Sequence, residues 1–239
     1  MKRFALIGHP VSGSLSPRLF HDAYGGRYPY DLIDSPSFAD AWAQFLASYQ
    51  GINVTAPFKQ DACAAVDRLS ENARRTGAVN LVVKGPDGLC GYNTDVDGVL
   101  GAVRESGLSF SDALIVGTGG AARAAAEAAR QLGCRVTVTG RSAEKAAARG
   151  YPGQPQDALS SWRVPAAPFL LVYTLPASAP VPEELPLEGA VVLEAEYRQP
   201  ALEGCGCRCY IGGKRWLLHQ ALAGYELFTG ERPCLENFL

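Results

Sequence analysis

Short apolar runs alternate along this chain with longer stretches whose apolar positions recur at helical spacing. Strands are predicted over residues 4–8, 28–33, 51–55, 113–117, 135–139, 169–173 and 190–193. Helices are predicted from Ser16 onward, over 37–49, from Thr94 to about 106, and over 119–132, 142–149 and 214–230. Ser16 is expected to cap its helix with Pro17 in the first turn, and Thr94 to cap the helix that follows it. Residues 79–84 and 88–92 read as a hairpin around Gly85-Pro86-Asp87. Residues 175–187, rich in Pro, Ala and Glu, read as loop. The repeated strand–helix–strand order predicts an α/β fold, with parallel sheets covered by helices on both faces. A break near residues 107–112 divides it, giving expected domains of 1–100, completed by 214–239, and 101–213.

The chain has 239 residues, of which 47% are hydrophobic and 19% charged. That is the composition of a globular protein with a sizeable core and is too apolar for disorder. Lys and Arg number 22 against 24 Asp and Glu, a formal net charge of −2. Binders of nucleic acid or of membrane surfaces need a basic excess that this chain lacks, so neither partner is expected. The first apolar run stops at Gly8-His9-Pro10, too short for a secretory signal, and no run approaches a membrane span. A soluble, cytoplasmic protein is expected. Its 7 cysteines are odd in number and scattered, unlike a secreted disulfide framework. Cys205, Cys207 and Cys209 would share one strand face and invite a metal reading. Tetrahedral zinc usually takes paired ligands from two separated elements, so no metal is expected.

Gly117-Thr118-Gly119-Gly120-Ala121-Ala122 follows a predicted strand and opens a predicted helix, the setting in which a glycine-rich turn binds a dinucleotide. Gly117 permits the tight turn, Gly119 lets the backbone approach a pyrophosphate, and Ala122 keeps helix and strand close. Gly120 and Ala121 open the helix whose free N–H groups would meet the phosphates. The end of the next strand indicates which nucleotide. An acidic residue there would hold a ribose 2′-hydroxyl, but this chain has Arg141-Ser142 and no acid until Glu144. A guanidinium fork suits a 2′-phosphate, so NADP is the expected cofactor, with Arg141 and Ser142 as its clamp.

Four polar clusters lie at strand ends or helix starts in the first hundred residues. They are Ser14-Leu15-Ser16-Pro17, Asn53-Val54-Thr55-Ala56-Pro57-Phe58-Lys59, Gly77-Ala78-Val79-Asn80 and Gly91-Tyr92-Asn93-Thr94-Asp95. Open α/β sheets place ligand groups in such positions. With the glycine turn that follows them in order, these clusters resemble the shikimate dehydrogenase family, NADP-dependent enzymes of aromatic amino-acid biosynthesis. The resemblance covers nearly the whole chain. It implies an N-terminal α/β substrate domain and a Rossmann-type NADP domain with a cleft between them, and reversible reduction of 3-dehydroshikimate to shikimate. It further implies that Ser14 and Ser16 bind the substrate carboxylate, with Tyr197 near it. Thr55, Asn80 and Gln220 would bind hydroxyl groups, and Lys59 and Asp95 would be the catalytic pair. These residue types suit the chemistry: hydride addition to a ketone leaves an alkoxide that needs a proton, which an ammonium can donate. The expected partner is a small-molecule substrate, and the expected assembly a monomer or homodimer. Four segments depart from the family pattern, one of them Tyr197-Arg198-Gln199-Pro200, which keeps only part of a Tyr-x-Pro-x-x-Thr pattern. Gly140 stands where Asn is usual, 172–176 replaces an Asn-Ala-Thr-like segment, and 201–210 is short. Two alternatives stay open: an NAD-dependent quinate/shikimate dehydrogenase, against which Arg141 speaks, and a non-catalytic shikimate-binding regulatory module, against which Lys59 and Asp95 speak.

Overall fold

Phe4–Gly8 forms β1, buried along its whole length because it lies between two layers of helix. A computed structural model of the chain describes residues 1–140, 153–155, 159, 162–166 and 168–234. The chain divides into two compact units, Met1–Thr94 with Gln220–Leu239, and Asp95–His219.

In the first unit, β1 is followed by α1 (Ser16–Tyr24), β2 (Tyr30–Asp34), α2 (Phe38–Ser48) and β3 (Gly51–Val54). Then come α3 (Lys59–Ala65), β4 (Arg68–Leu69), α4 (Glu71–Thr76), β5 (Leu81–Gly85) and β6 (Gly88–Tyr92). The sheet order is β2-β1-β3-β5-β6-β4. β1 pairs parallel with β2 and β3, while β5 runs antiparallel to both β3 and β6. The sheet is therefore mixed rather than wholly parallel: Gly85 pairs with Gly88, and so tight a reversal can join only antiparallel strands. Alternation along β1 sends Ala5 and Ile7 to one face, where they pack with Ala41 and Phe45 of α2 and Ala62 of α3. Phe4 goes to the other, where it meets Phe20 of α1 and Phe228.

The second unit begins with α5 (Asp95–Glu105), β7 (Asp112–Val116), α6 (Gly120–Gln131) and β8 (Arg135–Gly140). β9 (Gly153–Pro155), β10 (Phe169–Tyr173), β11 (Ala190–Glu194) and β12 (Cys209–Ile211) follow. The sheet order is β12-β11-β10-β7-β8-β9, parallel throughout, with the strand order reversing at β7. That is the doubly wound, Rossmann-type order, in which ligands sit at the carboxyl ends of the strands beside the reversal. α6 buries six alanines against α5 and the sheet, and their small side chains let helix and strands approach closely. The last helix, α7 (Gly213–Thr229), starts in this unit and ends in the first.

Predicted strands and long helices fall within a few residues of these elements. Ser16 is the first residue of α1 rather than its cap. Leu15 takes the cap position, and the Ser14 hydroxyl, one residue earlier, accepts the Ser16 N–H at 3.2 Å. β12 takes in Cys209 but not Cys205 or Cys207, so the three thiols do not share a strand face. The helix predicted over 142–149 lies outside the described residues.

Candidate active site

The carboxyl ends of β1, β3 and β6 and the amino end of β5 lie along one edge of the first sheet, since Asn53 pairs with Leu81 and Leu81 with Tyr92. The polar clusters converge there. Asn53 is an interior strand residue, not a turn cap. It is 8% exposed, accepts from the Tyr30 hydroxyl at 2.7 Å and donates to the Asn80 carbonyl at 3.3 Å. The Asn80 side chain, 3% exposed, accepts from the Thr94 N–H at 2.8 Å and donates to the Thr94 hydroxyl at 3.0 Å and to Gln220 Oε1 at 3.3 Å. The Thr94 hydroxyl, directly before the helix that starts at Asp95, also faces Gln220 Oε1, at 3.4 Å, and so joins this network.

Ser14 and Ser16 extend the network across the sheet. Their hydroxyls are 3.1 Å apart, and the Ser16 carbonyl accepts from Tyr225 of α7 at 3.2 Å. Burial raises the Tyr30 phenol well above its usual range, an effect that a hydrogen bond with Ser16 partly offsets. Tyr30 thus stays an uncharged donor to Asn53. The loop bearing Ser14 is fixed from β2: Asp34 bonds the His9 ring at 2.7 Å and accepts the Val11 N–H at 3.1 Å. The His9 hydrogen bond, with those of the backbone, holds the Asp34 carboxyl below its ordinary range.

Thr55 follows β3 and approaches β1 closely. Its N–H donates to the Ile7 carbonyl at 2.9 Å, and a Cβ on Gly8 would collide with its methyl group. Lys59, half-buried, opens α3, and its carbonyl accepts the Val79 N–H at 2.8 Å, tying the helix to the segment that ends in Asn80. Ser14, Ser16, Thr55, Lys59, Asn80 and Gln220 accordingly belong to one unit. Asp95, the first residue of α5, and Tyr197 belong to the other.

In that second unit, Gly117 ends β7 with φ +123, and its N–H donates to the Thr139 carbonyl at 2.7 Å. A Cβ there would strike the Thr174 hydroxyl, which itself donates to the Val116 carbonyl at 2.8 Å. Nothing lies within 4 Å of where a Gly119 Cβ would be, which leaves the backbone open to a close-approaching group. Gly119 is the cap of α6 and brings no side chain to its N–H groups, while Ala122 is buried beneath the turn. Open backbone at an uncapped helix start fits a diphosphate. Gly140 faces Thr118: a Cβ on it would lie 2.7 Å from the Thr118 methyl, which explains the missing side chain at that departure. Arg141 and Ser142 lie outside the described residues.

Tyr197 is half-buried in the loop after β11, with the Arg198 guanidinium 5.6 Å from its ring centre. Glu194, fully buried, organises this loop by accepting the N–H groups of Ala201 at 2.6 Å and Leu202 at 3.1 Å and the Tyr210 hydroxyl at 2.7 Å. Burial and then the bond to Glu194 raise the Tyr210 phenol. Tyr30, Asn53, Asp34 and Glu194 were not singled out as site residues from sequence. The alternation in β3, which sets a polar residue between apolar neighbours, was the signal for Asn53. The other three are defined only by tertiary contacts.

A Rossmann-type sheet with an open glycine turn, accompanied by an uncharged hydrogen-bonding network at a sheet edge, defines a dinucleotide-dependent oxidoreductase. The sequence model of the shikimate dehydrogenase substrate binding domain matches residues 6–82. The chain is 34% identical to the shikimate dehydrogenase (NADP(+)) of Acidiphilium cryptum, over 98% of its own length and 92% of that protein's. It is 35% identical to that of Halorubrum lacusprofundi, over 96% and 94%. The chain belongs to the shikimate dehydrogenase family. Among solved structures it superposes on shikimate 5-dehydrogenase from Thermus thermophilus in complex with NADP(H) and shikimate, with a TM-score of 0.84 and 30% identity, covering 100% of this chain and 97% of that one. Mycobacterium tuberculosis shikimate dehydrogenase gives a TM-score of 0.79 at 30% identity, covering 100% and 97%.

Proposed function

We propose that the protein reversibly reduces 3-dehydroshikimate to shikimate with NADPH. The observation that carries this reading is the Asn80–Thr94–Gln220 network at the carboxyl edge of the first sheet, inside the unit to which the substrate-binding model aligns. In this reading Met1–Thr94 with Gln220–Leu239 binds substrate and Asp95–His219 binds the nucleotide. Thr55, Asn80 and Gln220 hydrogen-bond the ring hydroxyls, for which neutral amides and hydroxyls are matched donors and acceptors. Ser14 and Ser16 bind the carboxylate, and Tyr197 adds to that end. Lys59 donates the proton that the developing alkoxide requires, with Asp95 as the acidic member of the pair. Gly117, Gly119, Gly120 and Ala121 receive the diphosphate, and Arg141 and Ser142 the 2′-phosphate. NADPH, when bound, supplies the hydride. The protein acts in the cytoplasm, as monomer or homodimer.

The test is a cofactor-by-substrate matrix read by loss of reduced-nicotinamide absorbance. NADPH and NADH are each paired with 3-dehydroshikimate and 3-dehydroquinate. Turnover confined chiefly to NADPH with 3-dehydroshikimate supports the assignment. Preference for NADH or for 3-dehydroquinate contradicts it, and shikimate binding without turnover would assign a regulatory module instead.

A further inference from the structure

Cys205 and Cys207 take no part in the proposed reaction and lie in the turn before β12. The Cys207 N–H donates to the Cys205 carbonyl at 2.7 Å, closing a three-residue turn. An extended chain would set residues two apart at about 7 Å, and this turn shortens that span toward the roughly 4.4–6.8 Å that a disulfide bridges. Both thiols are free and half-buried, on either side of the exposed Gly206. Neither space nor backbone conformation demands glycine at 206. Its φ is not left-handed, and nothing lies within 4 Å of where its Cβ would be. A glycine there supplies the backbone freedom that closing a small ring requires.

We propose that Cys205-Gly206-Cys207 is a reversible thiol–disulfide modification site, closing an intrachain Cys205–Cys207 bridge by exchange with a low-molecular-weight disulfide. Burial, and then the neighbouring Cys205 thiol, raise the Cys207 thiol, and exchange is open to either sulfur, with Cys205 first in one of the two equivalent orders. The Cys205 thiolate attacks one sulfur of the disulfide RSSR, forming a mixed disulfide and releasing the other half as a thiolate. Cys207 then loses its proton and attacks the Cys205 sulfur, forming the bridge and releasing the second thiolate. The two cysteines lose two electrons and two protons, and RSSR becomes two RSH.

Peptide mapping tests this without any variant. Trypsin cleaves after Arg198 and Arg208, so the peptide 199–208 holds Cys205 and Cys207 and no other cysteine, while Cys209 falls in 209–214. The folded protein is incubated with oxidised glutathione, blocked with an alkylating agent, digested without reduction and weighed. The expected result is peptide 199–208 unalkylated and lighter than its dithiol form by two hydrogen atoms, with dithiothreitol before blocking restoring two alkylated cysteines. Cys209→Ser should leave the bridge unchanged, while Cys205→Ser and Cys207→Ser, with unaltered circular dichroism, should each abolish it. Two alkylated thiols after glutathione treatment, a persistent glutathione adduct on this peptide, or its linkage to 209–214 would each overturn the proposal.

Discussion

Asn80 joins two strand ends and a helix through one amide. It accepts the Thr94 N–H and donates toward Thr94 and Gln220, and its own N–H donates to the Tyr92 carbonyl at 3.0 Å. Such a residue resembles an ordinary turn asparagine in sequence, because its partners stand 14 and 140 positions away. Ser14, Lys59 and Gln220 become candidates only as members of an ordered motif set, whereas Gly117 stands out by local rules alone. The structure gives the physical reason for Gly117: a positive φ combined with contact from Thr174. Gly117→Ala is expected to cost about 1–3 kcal/mol of backbone strain, besides the displacement of Thr174. Chemical denaturation compared with nucleotide titration checks this. Weakened NADP binding together with lower stability is expected, and wild-type values for both would show that the turn tolerates a side chain.

Elements were easiest to read where they were long and fully buried. β1 and β10 are continuous apolar runs, β7 and β11 are apolar but for a terminal acid (Asp112, Glu194), and the predicted bounds of all four lie within one residue of those observed. α3, α4 and β4 escaped prediction because seven, six and two residues are too few to display a period. The contribution of α7 to the first unit was legible as an amphipathic helix, but its partners were not. Its Tyr225 and Phe228 meet Phe20 of α1, with ring centres 4.8 and 6.2 Å away, and Phe20 also lies 5.3 Å from Phe4 of β1. Phe20 thus joins strand, first helix and last helix in one aromatic cluster. Phe20→Ala is expected to destabilise the protein by about 3–5 kcal/mol, through lost burial and the cavity left behind. Equilibrium urea unfolding measures it, and a loss below about 1 kcal/mol would mean that the cluster closes over the gap.

At the scale of the whole molecule, the charges that bear on stability join distant parts of the chain. Glu231 accepts from the Tyr28 hydroxyl at 2.8 Å and from Arg27 at 2.6 Å, and these bonds lower its pKa, as the bond to His9 lowers that of Asp34. Both carboxyls are more acidic folded than unfolded. Their stabilisation is therefore complete above the ordinary carboxylate range and is lost as pH falls through the folded values. Thermal midpoints should drop on acidification, and the drop should be shallower in Asp34→Asn and Glu231→Gln. An unchanged acid slope in both variants would remove these pairs from the account.

The sequence marks a break near residues 107–112, whereas the two compact units part earlier. Its observed place, between Thr94 and Asp95, follows from packing: Val96 and Val99 of α5 lie in the core of the second unit. The proposed reaction draws on residues from both units, and steady-state kinetics of 3-dehydroshikimate reduction by NADPH interrogates it most directly. Wild type should turn over. Lys59→Ala should lose about 10²–10⁴-fold in kcat, the usual contribution of a positioned proton donor. Ser14→Ala should chiefly raise KM, by about tenfold or more, as expected on losing a hydrogen bond to a charged group. A folded but inactive wild type, or the reverse division of kcat and KM effects between Lys59 and Ser14, would contradict the assignment.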